Sequence, residues 1–544
     1  MNAVATLDWL VLGPVVAPAA GAVVVLVVDA FAPRLSRLHA MLGVVALVLG
    51  AALALPTALG SAATPRRSLC LPAPDGACLY EAGPVAGALQ VGALLAALVV
   101  LLLAWPDRAS QERLSTVGAP GGDTAPLRGG PAVLVSLVLA ATAGAAGVAA
   151  AHDLGSWLVS LELATLPAIA LVALRATPDA GRGALALLTT SLVSFAFVVM
   201  GAALWLLATA QPVFSGTAAA AALADPERRA VLVLGLLLLV GGVGFKLSLV
   251  PFHVWTPQAY SGGTEPVATF LAATSKVAAL AALLVVLGPL AAAGAVGAHA
   301  ATPVLVVVGI LAAVSMTVGN LVALVQDDPV RLLAWSTVAQ AGWVVLPLSV
   351  ATTQAGQASS GYLLAYVVAT LVAFTVVHLV TRTGAGAGGT GAAGTPAGGA
   401  GRGRTLAAYT GLLRRRPVLG GALGLALLSL AGLPPGVLGL VAKVLALRPV
   451  VGDGQWVLAL VAVANAVLGI AVYLRWFTVL LRDPEPGADA VPTAEGAGGG
   501  AGEGWPEELF GGRVPRPALV ALLLSGGVLV IASVLPQLVL GLLG

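Results

Sequence analysis

The chain has 544 residues, of which 59% are hydrophobic and only 9% charged, with a mean hydropathy of +1.02 and a formal net charge of +3. Globular domains carry about 25% charged residues, so this balance excludes a soluble fold. It also leaves no stretch polar enough for a nucleotide-binding domain, and no Walker or dinucleotide fingerprint is present.

Apolar runs near or above about 18 residues recur along the whole length, which is the signal of membrane-spanning helices. Read against Pro, Gly and charge boundaries, they predict fourteen spans, at 9–32, 39–60, 86–105, 131–151, 154–174, 183–210, 231–256, 265–288, 303–325, 332–350, 361–381, 417–447, 455–480 and 517–543. The fold class is therefore an all-α polytopic membrane protein. The first run is long enough to span and lacks the short-run-plus-cleavage pattern of a removable leader. Two low-complexity stretches, 383–404 and 484–512, lack the apolar content to fold alone and read as flexible insertions.

An even number of spans puts both termini on one side. Loops after odd-numbered spans carry 17 arginines and the opposite loops carry 5. The positive-inside rule then places the odd-numbered loops in the cytoplasm and both termini outside. Cys70 and Cys78 share one loop on the outer side, where a disulfide between them can persist. Two cysteines without CxxC spacing hold neither an iron–sulfur cluster nor a structural zinc, so no redox centre is expected here.

The chemistry is expected where charge enters the apolar runs. The chain contains only three lysines, Lys246, Lys276 and Lys443, and each lies inside a span, whereas arginine supplies the loops. A lysine at mid-membrane costs about 2.5–3.5 kcal/mol on the translocon scale. Unlike arginine, it can give up its proton. Glu162 lies near the middle of span five and Lys276 near the middle of span eight. Lys246 precedes Pro251 in span seven by five residues, and Lys443 follows Pro434–Pro435 in span twelve by eight. Proline breaks the helical ladder, and such breaks at membrane depth occur beside protein or water-filled cavities. An ionisable residue beside a broken helix in each half is the arrangement of transporters with internal repeats. The bland readings are snorkelling for Lys443, a helix–helix hydrogen bond for Glu162 and structural pairing for the lysines. His253, just past the break in span seven, suits proton relay or a structural role equally. Asp29 sits near a span end and reads as interfacial, Arg475 beside Trp476 reads as an aromatic-belt anchor ahead of a functional role, and His378, four residues before Arg382 at a span end, reads as structural ahead of proton relay.

At these residues the sequence resembles the proton-pumping membrane subunits of respiratory NADH:quinone oxidoreductase (complex I), and among them subunit N. The carrying segments are LVSLELATLPAIALVAL around Glu162, GFKLSLVPFHVWTPQAY around Lys246, EPVATFLAATSKVAALAALL around Lys276, VRLLAWSTVAQAGW at 330–343 and LLSLAGLPPGVLGLVAKVLAL around Lys443. The resemblance implies that Glu162 and Lys246 are an interacting pair, that Lys276 is a central relay and that Lys443 belongs to the second half-channel.

It further implies an N-terminal three-helix segment (1–130), a first antiporter-like repeat (131–288), a second, inverted repeat (303–480) and a C-terminal loop and span (481–544). The implied location is a bacterial cell membrane. The implied partners are the bilayer, protons and the other antiporter-like and small membrane subunits of the complex, with no nucleic acid. NADH, FMN, iron–sulfur clusters and quinone would serve the complex elsewhere, with no cofactor on this chain. The sequence departs from the family's pattern at Gln258, Ser261, Glu265, Val330 and Gln340, the last standing where a histidine is usual. Two other functions fit the residues: a subunit of a multisubunit sodium/proton antiporter, and a membrane scaffold whose lysines fix helix register.

Overall fold

The computed structural model describes residues 7–70, 78–106, 130–294, 299–386, 404–483 and 515–537. The low-complexity stretch 484–512 and residues 387–403 of the other lie outside these residues. Among them, thirteen helical spans are long and apolar enough to cross a membrane. In chain order they are one (Trp9–Phe31), two (Ser36–Ala58), three (Pro84–Leu103), four (Gly130–Ala150), five (Leu154–Ala173), six (Pro178–Thr209) and seven (Pro226–Leu247). Eight (Glu265–Ala292), nine (Thr302–Ala323), ten (Pro329–Ser349), eleven (Thr353–Arg382), thirteen (Trp456–Leu481) and fourteen (Arg516–Val534) follow. Span twelve is two shorter helices, Pro417–Ala431 and Val437–Gly452. The expected fourteen passes are thus all present.

Helix starts are set by local chemistry. Asp8, Asp153, Thr177, Asp225 and Asp328 each accept a hydrogen bond from a backbone N–H of the first turn. Such a cap contributes about 1 kcal/mol. Proline occupies the first turn in spans six, seven and ten, where its missing N–H costs nothing.

Spans eight, ten and eleven are almost wholly buried, while spans six and thirteen present Leu192, Val193, Leu207, Leu460 and Val467 outward. The inner helices carry the polar groups and the outer ones make the lipid-facing surface.

Contacts between connections sort by parity. At one end, Ser68 Oγ accepts from Asp8 N at 3.0 Å, His152 N donates to Leu79 O at 2.9 Å, and Leu154 N donates to Pro212 O at 2.8 Å. These join the N-terminus with the connections after spans two, four and six. At the other end, Arg175 Nη1 donates to Gly263 O at 3.2 Å and Leu406 N to Asp327 O at 2.8 Å. These join the connections after spans five, seven, nine and eleven.

Two features were not expected. The connection after span two forms an antiparallel hairpin, Arg66–Cys70 with Cys78–Ala82, pairing Ser68 with Tyr80 and Cys70 with Cys78. The two cysteines are joined by a disulfide. Half-buried Tyr80 bridges the hairpin to Ala151, and its partial burial pushes its phenol pKa up, with Asp153 adding to the effect. The second feature is that four spans are interrupted rather than two. Spans seven and twelve break at their prolines. Span five also breaks, at Ala164–Thr165, because Pro167 removes a donor from the ladder. Span eight breaks at Ala273, whose φ of −113° and ψ of −81° are not helical, and no proline marks the place.

Candidate functional site

Glu162 and the three lysines each lie at one of these four interruptions. Glu162 is the penultimate residue of Leu154–Leu163. Lys246 is in the last turn of Pro226–Leu247, followed by Ser248 in the left-handed region (φ 69°). Lys276 is in the first turn of Thr274–Ala292, and Lys443 is in the second turn after the Pro434–Pro435 break.

The reason is electrostatic. The last four carbonyls of a helix have no intrahelical donor, and they carry the negative end of the helix dipole. An ammonium offers three donors to such groups. Lys246 Nζ donates to Leu161 O at 2.7 Å, at the end of the first half of span five. Lys276 Nζ donates to Lys246 O at 2.9 Å and to Ser248 Oγ at 2.5 Å. Lys443 Nζ donates to Leu430 O at 3.0 Å and Ala431 O at 2.6 Å, the end of the first half of span twelve. All three lysines are buried, Lys276 to 1% exposure. Snorkelling is therefore excluded for Lys443, whose head turns inward to the break.

Aromatic faces complete two of the sites. Lys276 Nζ stands 4.8 Å from the centre of the Trp255 ring, and Lys443 Nζ stands 5.7 Å from that of Trp343. Trp255 is fixed by its own indole N–H, which donates to Phe245 O at 3.0 Å. Thr256 Oγ1 donates to Ser248 Oγ at 2.6 Å, extending the polar cluster around Lys276.

Glu162 is only half-buried, and no ion pair within 4 Å joins it to Lys246 among the described residues. Lys246 binds the carbonyl of the residue before it instead. The two charges are close enough to act on one another.

Gln340 sits in a dense hydroxyl network. Its Nε2 donates to Tyr473 Oη at 2.8 Å and reaches Leu430 O at 3.5 Å, while Tyr362 Oη donates to its Oε1. Tyr473 Oη is also 2.6 Å from Ser336 Oγ, and Thr337 Oγ1 is 2.9 Å from Tyr366 Oη. Gln340 and Lys443 thus meet at the same carbonyl, Leu430 O. A cavity of about 10 Å³ lies among Gln340, Tyr362, Tyr366, Ser429 and Leu430, and Ser429 Oγ has no hydrogen-bond partner. That volume is on the order of one water.

His253 is placed apart from this row. Its ring packs 5.2 Å from that of Trp335, and its Nδ1 is buried without a partner. Arg475 clamps span ends, donating to Leu324 O and pairing with Asp327. Gly144 and Gly439 let backbones close on the breaks, since a Cβ on Gly144 would overlap Leu163 and Ala164, and one on Gly439 would overlap Ser429 O.

Residues 151–469 match the family model described as NADH:quinone oxidoreductase/Mrp antiporter, TM. NADH-quinone oxidoreductase subunit N 2 of Streptomyces griseus is 33% identical, over 99% of this chain and 94% of its own length. Subunit N of Salinispora tropica is 36% identical, over 91% and 88%. This chain belongs to the subunit N family of NADH-quinone oxidoreductase. Among solved structures, a chain of respiratory complex I from Thermus thermophilus aligns with a TM-score of 0.71 at 28% identity, covering 97% of this chain and 98% of that one. A chain of the Mrp complex from Dietzia aligns with a TM-score of 0.76 at 21% identity, covering 98% and 96%, which shows the shared fold alone.

Within this subunit N chain, sequence reasoning missed Ser248, Trp255, Trp343 and the tyrosines around Gln340. Tyr362 and Tyr366, four residues apart in span eleven, were the available sign of a polar helix face.

Proposed function

We propose that this chain carries protons across the membrane along Glu162, Lys246, Lys276, the Gln340–tyrosine network and Lys443, as a membrane subunit of the quinone-reducing complex. The observation that supports the reading is the bond from the Lys276 ammonium to the main-chain carbonyl of Lys246, which brings the head group of the second lysine to the backbone that bears the first. A carboxylate approaching an ammonium favours its charged form, and withdrawal favours release. Movement of Glu162 relative to Lys246 therefore loads and unloads the first lysine, and Lys276 hands the proton on. Quinone reduction in the neighbouring subunits drives the movement.

The arginine asymmetry supports a cytoplasmic position for the odd-numbered connections, with both termini outside and the hairpin on the outer face. The two halves, 131–288 and 303–480, are read as inverted repeats because each places a lysine beside a proline break.

The test is proton uptake by inverted membrane vesicles during NADH oxidation, with the complex carrying Lys246→Ala or Lys276→Ala and its assembly checked by native gel. Uptake per NADH lower by a measurable share is expected. Undiminished uptake in the assembled complex overturns the reading. A pH gradient that requires sodium but neither NADH nor quinone would instead favour antiport.

A further inference from the structure

A second buried ionisable cluster lies toward the odd-numbered connections, away from the lysine row. Glu265 opens span eight, and His378 lies one turn before the end of span eleven. His378 Nδ1 stands 3.9 Å from Glu265 Oε2, and Arg404 Nη2 stands 3.9 Å from Glu265 Oε1. Both separations exceed a hydrogen bond. A pair serving only to hold helices together would close to hydrogen-bonding distance, because a buried imidazole with neither nitrogen bonded is costly. Here both nitrogens of His378 are buried and have no hydrogen-bond partner.

Exposure falls in order along the cluster, from 29% at Arg404 to 19% at Glu265 and 6% at His378. This is a graded passage from water into the protein. Arg175, which donates to Gly263 O, also faces Glu265 and Arg404, with Asp179 beside it. Tyr409, in the short helix Leu406–Tyr409, lies near Glu265, and Arg382 lies one turn beyond His378.

Inward of His378, the hydroxyls of Thr370 and Tyr260 are buried without partners. Tyr366, Thr370 and His378 share one face of span eleven by helical spacing. Tyr260 packs edge-on to Trp255, the ring that covers Lys276.

We propose that Glu265 and His378 are a proton-loading station, taking protons from the water beside Arg404 and passing them to the hydroxyls that lead to Lys276. The inference rests on the proton-carrying role proposed above. In one transfer, a proton from water binds the imidazole nitrogen facing Glu265 while the ring's other nitrogen releases its own proton inward. Exchange of the ring's N–H between its nitrogens then restores the starting state, and no charge accumulates.

The experiment is the pH profile of NADH-driven proton uptake in inverted vesicles, using the whole complex with His378→Gln, Glu265→Thr or Lys276→Ala. His378→Gln keeps the shape but cannot carry a proton, and at least a threefold loss of uptake is expected. Glu265→Thr removes the carboxylate beside the ring, so uptake is expected to fall across the whole pH range, by a smaller factor than in His378→Gln. Should His378→Gln fail to assemble, Glu265→Thr carries the test alone. Unchanged uptake and an unchanged profile in these variants, with Lys276→Ala impaired, overturn the loading station and leave the lysine row standing. If Lys276→Ala is also unimpaired, the proton-carrying role itself fails, and the station with it.

Discussion

The ammonium of Lys276 is bonded at 2.9 Å to the carbonyl of Lys246, so the second lysine of the row reads the backbone of the first. Any shift at the end of span seven is transmitted to Lys276 without a side chain in between. Ser248 completes this arrangement, since its hydroxyl is the other acceptor of Lys276.

Removal of that hydroxyl is therefore expected to impair pumping. A hydrogen bond to a charged group contributes about 1.5–3 kcal/mol. A loss of about 2 kcal/mol corresponds to about thirtyfold in an equilibrium or a rate, since each 1.4 kcal/mol is tenfold. Ser248→Gly suits the test because it also relieves the left-handed backbone of Ser248, so an effect is not attributable to strain. The expected result is uptake reduced by up to about thirtyfold in a complex that assembles normally. Uptake equal to the wild type would show that Ser248 is not part of the path.

Lys443 separates proton transfer from scaffolding. It is held by two carbonyls and a tryptophan face, all of which an arginine can also satisfy. Arginine remains charged at every accessible pH. Lys443→Arg is thus expected to assemble yet lose pumping as fully as Lys443→Ala. A scaffold role predicts the reverse, with arginine as good as lysine, and vesicle uptake beside native-gel yield decides.

Gln340 lies between Tyr362 and Tyr473 with an amide that does not itself titrate. The structure surrounds it with Tyr362, Tyr473 and Ser336, so hydroxyls stand where a histidine was expected. Gln340→Leu leaves two buried tyrosine hydroxyls short of a partner, at about 1–3 kcal/mol each. Both a lower unfolding temperature of the complex and reduced pumping are expected. Gln340→His, which can bond both tyrosines, should retain pumping. Full activity in Gln340→Leu would remove the network from the route.

How far the sequence disclosed this site depends on how local each feature is. The lysines and Glu162 stood out because a charge in an apolar run is visible without any contact. The interruptions of spans seven and twelve were legible from Pro251 and Pro434–Pro435. That of span eight was not, because Ala273 carries no sign of it. The partners of the lysines are main-chain carbonyls, which every residue has, so no residue type announces them. Gln340 and Tyr473 are 133 positions apart, and Glu265 and His378 meet only because spans eight and eleven pack together. The hairpin was missed because two five-residue strands among fourteen apolar runs give little periodicity.

Gly432 tests how tightly the second break is built. It has a φ of +79°, and a Cβ there would stand 3.2 Å from Lys443 Nζ. A left-handed residue other than glycine costs about 1–2 kcal/mol. Gly432→Ala is expected to lower stability by roughly that amount and also to displace the ammonium from Leu430 and Ala431. Pumping should therefore fall by more than the change in assembled complex. Loss of both in equal proportion would mean that the glycine serves folding alone.

The hairpin offers a measure of sidedness that is independent of the pump. Cys70 and Cys78 are paired in the structure, so unreduced protein should not react with a thiol reagent. After mild reduction, a membrane-impermeant maleimide added to intact cells should label them if the hairpin faces outward. Inverted vesicles should label only after permeabilisation. Closing this short loop contributes roughly 2–3 kcal/mol in the chain-entropy model. Cys70→Ser with Cys78→Ser should therefore loosen the hairpin while leaving NADH-driven uptake within about twofold, because the hairpin touches none of the lysines. Labelling of sealed inverted vesicles but not of intact cells would reverse the orientation read from the arginines.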